Sequence, residues 1–218
     1  MLKLNGSVNV GFCQGFLKGP IKVIGPNVAC LRIQVIDKHV NPKTKVPNTH
    51  MLNFIIKDEL AVELLSDRRY DNLILVSYHL GTHFRFNNAL GIGRFETQLE
   101  IDGFCYKENK NKGGYPYLNR GFYQCVFLGV TPVINANGIY TVDTVVDDQV
   151  TGKRKHLPFT VFGSYGEIIE RNYSPGQELL IEYKLERSKN QRDDGGVEFF
   201  TILQINVVPS KCTYFSNS

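Results

Sequence analysis

The sequence lacks the motifs of several large enzyme classes. It has no GxxxxGKS phosphate-binding loop, no HExxH zinc-protease pair and no GxSxG nucleophile elbow. His79 and His83 are four residues apart, but we expect them at the end of a strand and in a turn, where that spacing does not bring two imidazoles together. The two Asp-Asp pairs fall in hairpin loops that favour a turn-forming role. We therefore predict a protein that is not an enzyme and holds no metal or cofactor.

Long apolar runs and paired cysteines are also missing. Aliphatic stretches such as LILV are too short to span a bilayer, and the start MLKLNGSVNVG lacks the apolar region of a signal peptide. The five cysteines are odd in number and show no CxxC spacing, which favours free thiols over a disulfide scaffold or a zinc site. We therefore expect a cytoplasmic protein with no membrane partner.

The net charge of the chain is small, but the charged residues are distributed unevenly along the sequence. The net charge is +4, and the basic excess lies in residues 1–118, because residues 119–218 carry ten Lys and Arg against eleven Asp and Glu. An anionic partner would be attracted to the first half, although a solvated surface of mixed charge explains the same distribution.

The sequence contains an internal repeat. Residues 156–186 read HLPFTVFGSYGEIIERNYSPGQELLIEYKLE, and residues 50–80 read HMLNFIIKDELAVELLSDRRYDNLILVSYHL. Both give an apolar strand, a short amphipathic helix, a turn and a second strand, at an offset of 106 without a gap. In this register Leu75 matches Ile181.

The repeat extends to the ends of each half. FETQLEID (95–102) matches FFTILQIN (199–206) at an offset of 104, and the early strands ACLRIQVID and IYTVDTVVD align at an offset near 110. We place a first domain at 1–106, a polar linker at 107–118, a second domain at 119–210 and a short C-terminal tail at 211–218.

The second half predicts five strands and one helix. FYQCVFLGV, IYTVDTVVD and LPFTVF precede the short helix SYGEIIERN, and LLIEYKLE and VEFFTILQINVV follow it. Three strands, a helix and two strands is the order of an OB-fold, a five-stranded barrel closed at one end by a helix. We therefore predict an all-β protein of two tandem OB-fold five-stranded barrels with one short helix per domain. The alternative is one larger β-sandwich whose halves are similar by coincidence.

Four stretches of the second half occur together in order: FLGV, the loop DDQVTGKRKH, the strand TVFG followed by a helix, and YSPGQELLIEYKLE. With them, about residues 121–208 resemble the bacterial single-stranded DNA-binding protein family, which the first half joins mainly through the internal repeat. The resemblance implies a barrel face that binds a flexible strand, with basic side chains on phosphates and aromatic rings stacked on bases.

The resemblance also implies particular site residues. Phe162 matches an aromatic position of the family, with Ile56 as its counterpart in the first copy. His156 and His50 stand where the family usually has a tryptophan, a residue that this sequence lacks. The hairpin HLGTHFRFNNALGIGRF of the first copy interleaves rings with charge, although these rings could equally be core residues and the single charges solvated. The predicted nucleic-acid-binding residues are Lys22, Lys38, Lys43, Lys45, His50, Phe84, Arg85, Phe86, Arg94, Lys153, Arg154, Lys155, His156, Phe162 and Arg187.

We therefore predict a protein that coats single-stranded DNA in replication, recombination or repair, largely independent of sequence. Four barrels is the usual working number of the family, so two barrels per chain imply a homodimer. The ending VPSKCTYFSNS has no acidic tip, which suits a phage or mobile-element protein whose replication or recombination partners dock on a barrel or the linker. Two alternatives stay open: an OB-fold adaptor that binds proteins of a replication or recombination complex, and a single-stranded RNA-binding protein.

Overall fold

The computed structural model describes most of the chain in two compact units. Described are residues 8–40, 43, 45, 47–66, 72–87, 92–107, 118–134, 136–147, 154–191 and 197–207, with the backbone alone at 37–40, 82–87, 92–96, 107, 147, 190–191, 197–200 and 207. One unit comprises the described residues of Val10–Asn119 and Arg187–Thr201, and the other those of Met1–Asn9, Arg120–Glu186 and Ile202–Ser218. Within these residues, no helix has the length and apolar character needed to cross a membrane.

The first unit is a closed five-stranded barrel with one additional short strand. Its elements are β1 (Asn9–Leu17), β2 (Lys22–Gly25), β3 (Val28–Val40), β4 (Pro47–Lys57), α1 (Asp58–Ser66), β5 (Leu73–Asn87) and β6 (Ile92–Lys107). Strand β1 pairs antiparallel with both β3 and β5, β3 pairs with β4, and β5 pairs with β6. A parallel pair between β4 and β6 closes the barrel, and β2, which we did not predict, pairs with β3.

The second unit repeats this barrel. Its barrel is formed by β7 (Asn119–Pro132), β8 (Ile139–Asp147), β9 (Arg154–Phe162), α2 (Tyr165–Asn172), β10 (Glu178–Gln191) and β11 (Val197–Val207), of which Asn119 and residues 187–191 and 197–201 are grouped with the first unit. Strand β7 pairs with β8 and β10, β8 pairs with β9, β10 neighbours β11, and a parallel pair between β9 and β11 closes the ring. Each helix lies between the third and fourth barrel strands, as in OB-folds. The prediction of two five-stranded OB-fold barrels is therefore confirmed, and the single β-sandwich is wrong.

Alternation along the strands builds the core of each barrel. In β10, Ile181, Tyr183 and Leu185 are fully buried, while the charged residues between them are partly exposed. The polar side chain of Thr144 on β8 is also buried, and its hydroxyl donates a hydrogen bond to the backbone oxygen of Leu157 at 2.6 Å. Burial of this hydroxyl therefore costs little free energy, because the barrel itself provides its hydrogen-bond acceptor.

The four described cysteines are free thiols, as we predicted. Cys13 and Cys125 are buried in the barrels, Cys30 is half-buried and Cys105 is exposed. Burial raises the pKa of the Cys125 thiol to about 12, so this side chain stays protonated at neutral pH. Cys212 lies outside the described residues.

The internal repeat has a different register on strand three from the one we predicted. Phe54 on β4 and Phe159 on β9 are both fully buried core rings, and they are 105 residues apart. The predicted offset of 106 is therefore wrong by one residue on this strand. On strand five, Leu99 and Leu203 are both buried, which confirms the offset of 104.

Strand four shows the same shift of one residue. Tyr78 on β5 and Tyr183 on β10 are fully buried at an offset of 105. The predicted match of Leu75 with Ile181 is wrong, because Ile181 is fully buried in the core whereas Leu75 lies on the other face of β5 and is only half-buried. A shift of one residue moves every side chain of a strand to the opposite face, so this correction changes which residues can meet a ligand.

The turn that ends strand three has the same geometry in both barrels. In the second barrel Gly163 (φ 65°) donates its N–H to the carbonyl of Gly138 (φ 72°) at 2.7 Å. In the first barrel Asp58 (φ 55°) donates to the carbonyl of Asn27 (φ 52°), also at 2.7 Å. All four residues have left-handed backbone, which glycine adopts freely and which Asn and Asp tolerate better than most residues.

Replacing Gly163 by alanine should lower the free energy of unfolding by about 1 kcal/mol, because a Cβ makes the left-handed conformation unfavourable. No atom lies within 4 Å of the position that this Cβ would occupy, so the cost is conformational and not steric. Gly129→Ala is the matched control, since its Cβ also enters open space and its φ is not positive. Urea unfolding of both variants measures the difference, and equal stabilities would contradict the prediction.

Candidate nucleic-acid interface

The outer face of β8 and β9 brings together three of the predicted site residues. Arg154, His156 and Phe162 lie at alternate positions of β9 on the exposed pleat, whereas Leu157 and Phe159 on the opposite pleat are buried. This face also presents residues of β8, since β8 and β9 pair residue by residue along their whole length. Strands two and three form the oligonucleotide-binding face of OB-folds.

Phe162 is the exposed aromatic residue of this face. Its side chain is 39% exposed although it is large and apolar, and it lies opposite Ile139 of β8. Gly138 precedes Ile139 and Gly163 follows Phe162, so these two chain neighbours add no side chain beside the pair. An exposed ring in open surroundings offers one face to a nucleobase.

His156 lies on the same face and contacts an acid. Its Nε2 is 3.2 Å from Oδ1 of Asp143 on β8, and the imidazole is 54% exposed. The hydroxyl of Thr131 donates to the other oxygen of Asp143 at 3.4 Å. This face therefore combines one aromatic ring, one imidazole and one acid that is already engaged by its neighbours.

The predicted basic cluster in the loop between β8 and β9 does not lie on a single face. Arg154 is exposed on the outer pleat of β9, whereas Lys155 lies on the other pleat and is half-buried. Lys153 lies outside the described residues. Arg187, another predicted site residue, is exposed on β10. Of this group, the structure places only Arg154 in line with His156 and Phe162.

The first barrel carries basic residues but no described ring on the corresponding face. On β3 and β4, Arg32 is exposed opposite Asn53, and Lys22 on β2 is exposed opposite Cys30. Among the described side chains of the outer pleat of β3 and β4, none is aromatic. The two barrels therefore present different surfaces at equivalent positions.

The predicted lysines between strands two and three of the first barrel are partly described. Lys43 and Lys45 are exposed in the connection between β3 and β4, and Lys45 has a left-handed backbone with φ 57°. Lys38 lies on β3, and its side chain is outside the described part. They lie in the connection between the two strands that form the binding face of OB-folds, and their role in binding stays a prediction.

His50 is placed apart from the other predicted residues. It lies on the pleat of β4 that carries the buried residues Leu52, Phe54 and Ile56, opposite the buried Val35 of β3. The structural counterpart of Phe162 is Lys57 and not Ile56, which is fully buried. The counterpart of His156 is accordingly Met51, because the register of this strand differs by one residue from the predicted one.

The predicted hairpin of the first barrel is longer and more regular than expected. Strand β5 continues to Asn87 and β6 begins at Ile92, so His79 and His83 both lie within β5 and not at a strand end and in a turn. In the backbone register Phe84 is opposite Phe95 and Arg85 is opposite Arg94. Phe86 follows on the same strand. The side chains of these predicted site residues lie outside the described part.

Two basic residues of the first barrel were not predicted. Arg32 and Lys57 are both exposed on the outer pleats of β3 and β4. The alternation of ACLRIQVID could have identified Arg32, because Leu31 and Ile33 on either side are buried. Lys57 was missed because the predicted register assigned its structural position to Ile56. Among the described residues, no group of three or more His, Cys, Asp or Glu side chains could hold a metal ion.

The fold of the whole chain has a solved counterpart. No family model and no curated protein matches the sequence. The single-stranded DNA-binding protein of Thermus aquaticus superposes with a TM-score of 0.70 at 13% identity, over 97% of this chain and 96% of that one. The chain shares the fold of that protein. A deletion mutant of the same Thermus aquaticus protein gives a TM-score of 0.66 at 13% identity, over 93% of both chains.

Proposed function

We propose that this chain is a single-stranded DNA-binding protein that coats strands during replication, recombination or repair, largely independent of sequence and without catalysis. The observation that supports this most directly is the outer face of β8 and β9, where Phe162 is exposed in line with His156 and Arg154. A ring stacks on any base and a cation attracts any phosphate, so this combination binds without reading sequence. The Thermus aquaticus protein with the same tandem fold is named as a single-stranded DNA-binding protein.

We further propose that the chain works as a homodimer in the cytoplasm, with domains at 1–106 and 119–210 joined by a linker at 107–118. Two barrels per chain would then give four barrels per assembly. Light scattering of the purified protein measures its mass against the 24.7 kDa of one chain. A mass of one chain at working concentration would contradict the dimer and leave the binding function untouched.

The purified chain should bind a fluorescent oligo-dT of a few tens of nucleotides tightly at low salt and less tightly at high salt. The logarithm of the binding constant should fall linearly with the logarithm of salt, by about 0.7 per phosphate neutralised on a single strand. Duplex DNA of the same length should bind far more weakly, because its bases are not available for stacking. Oligo-U in the same assay tests the RNA alternative.

A charge reversal sharpens this experiment. Arg154→Glu removes an exposed cation from the proposed face, whereas Arg171→Glu makes the same change on helix α2, where Arg171 pairs with Glu167 at 3.2 Å. The first variant should weaken binding and reduce the salt slope, and the second should resemble the wild type. No binding of oligo-dT by the wild type at low salt would overturn the proposed function and favour a protein-docking role.

A further inference from the structure

A charged cleft in the first barrel lies at the position where the second barrel carries Phe162. The cleft has a volume of about 510 Å³. It is lined by Ile55, Lys57, Asp58, Glu59, Leu60, His79, Glu100, Ile101 and Asp102. Four of these side chains are acids and one is a lysine, so the carboxylates of the cleft outnumber its lysine by three.

The lysine of the cleft is held by an acid. Nζ of Lys57 is 2.5 Å from Oε2 of Glu100, and Nε2 of Gln98 donates to the other oxygen of this carboxylate at 3.3 Å. Glu100 is 17% exposed, and its Oε1 would lie 2.4 Å from a Cβ added at Gly81. The carboxylate therefore occupies space that the missing side chain of Gly81 leaves open on the neighbouring strand.

The second acid of this strand is fixed as well. Oδ1 of Asp102 is 2.7 Å from Nδ1 of His79, and Nε2 of the same imidazole is 3.7 Å from Oε2 of Glu100. The two carboxylates thus flank one imidazole, and Glu100 also pairs with the lysine. Both acids are therefore held in place at this end of the first barrel.

The second barrel has almost none of this charge at the matched positions. With the offsets of 105 on strands three and four and 104 on strand five, Glu100 corresponds to Gln204 and Asp102 corresponds to Asn206. In the same register the other matched pairs are Lys57 with Phe162, Asp58 with Gly163, Glu59 with Ser164, His79 with Lys184 and Gly81 with Glu186. One cation and one acid remain, so the two barrels differ by about three unit charges at this end.

We infer that Glu100 and Asp102 keep single-stranded DNA away from this end of the first barrel, so that the two barrels bind single-stranded DNA unequally. The inference rests on the proposed function. Phosphates are repelled by a net negative cleft within a screening length of about 8 Å at physiological salt. Lys57, the lysine that lines the cleft, is paired with Glu100.

The test transplants the residues of the second barrel into the first. Glu100→Gln with Asp102→Asn preserves side-chain size and removes two negative charges. We expect the full-length variant to bind oligo-dT about three to ten times more tightly at low salt, since each surface charge contributes modestly, with a smaller gain as salt screens the charges. The salt slope should steepen by about 0.7, because Lys57 becomes available for one phosphate.

Two further variants separate local from global charge. Glu167→Gln with Glu170→Gln removes the same two charges from helix α2 and should leave the salt slope unchanged. The steeper salt slope is expected to come from Lys57 once Glu100 no longer pairs with it. Adding Lys57→Ala to the Glu100→Gln, Asp102→Asn variant should therefore return the slope to the wild-type value. If the wild type binds oligo-dT and the Glu100→Gln, Asp102→Asn variant behaves like the Glu167→Gln, Glu170→Gln variant, the inference is wrong and the proposed function stands. If the wild type does not bind, the proposed function itself fails.

Discussion

Gly121→Ala should destabilise the second barrel by about 3 kcal/mol or more, because the new methyl group overlaps a buried ring. A Cβ at Gly121 on β7 would lie 2.2 Å from Cζ and 2.5 Å from the hydroxyl oxygen of Tyr183. The two residues are direct partners in the register of β7 and β10. Either the ring or a barrel strand must move to make room for the methyl group.

The Tyr183 ring has little freedom to move. It is fully buried, and its centroid is 5.6 Å from that of Phe159, which in turn is 5.8 Å from that of Tyr123. A shift of Tyr183 would therefore disturb a chain of packed rings at native density. The penalty is larger than that of an ordinary overpacked site, because the obstacle is a rigid buried ring and not a flexible side chain that could rotate away.

The first barrel provides an independent copy of this experiment. A Cβ at Gly11 would lie 2.2 Å from Cζ of Tyr78, and these residues are partners in the register of β1 and β5. Gly11→Ala should destabilise the first barrel to a similar extent. Urea unfolding followed by circular dichroism measures both variants, with Gly129→Ala as the control that adds a methyl group in open space. Wild-type unfolding of Gly121→Ala would contradict the proposed role of these glycines.

The order of the elements could be predicted from sequence because each strand has one buried face. Alternation in LLIEYKLE and IYTVDTVVD, together with turn-forming residues between them, is a local signal that requires no knowledge of the tertiary structure. Because the first half repeats the second, the same order of strands and helix could be predicted for the first half. Closure of each barrel by a parallel pair of strands three and five follows once the OB-fold order is recognised.

The register of the repeat could not be predicted in the same way. In the first copy Ile55 and Ile56 are both apolar, so the sequence does not indicate which of them faces the core. Only pairing with β3 decides this, since Ile56 lies opposite the buried Ala29 and Ile55 opposite Cys30. The error assigned the outer position of Lys57 to Ile56, which is a core residue.

The long strand β5 was misread for a similar reason. Gly81 in the stretch HLGTH indicates a turn when the sequence is read locally. In the structure it lies within β5, because the side chain of Glu100 on β6 occupies the space beside it. A glycine that makes room for a neighbouring strand is a long-range feature, and local turn preferences do not detect it.

Phe162→Ala should weaken the binding of single-stranded DNA by about 1–3 kcal/mol, or roughly five- to 150-fold, if one base stacks on this ring. The ring is the exposed aromatic residue on the β8–β9 face, and Ile139 opposite it cannot replace a π-face. Phe162→Tyr keeps the ring and should bind like the wild type. The loss should persist at high salt, because stacking is not an ionic interaction, whereas the loss caused by Arg154→Glu should shrink as salt screens charge.

Leu128→Ala is the matched control for this loss, because Leu128 on β7 is an apolar side chain of similar exposure, 42% against 39% for Phe162. Removing it tests whether any exposed apolar side chain supports binding. Ile56→Ala tests which register of the repeat is correct. Because Ile56 is a core residue, this variant should destabilise the first barrel by about 2–5 kcal/mol. It should have no direct effect on the DNA affinity of the folded protein. If Phe162→Ala bound DNA as Leu128→Ala does, the stacking role would be wrong, and binding would then have to rest on the basic residues alone.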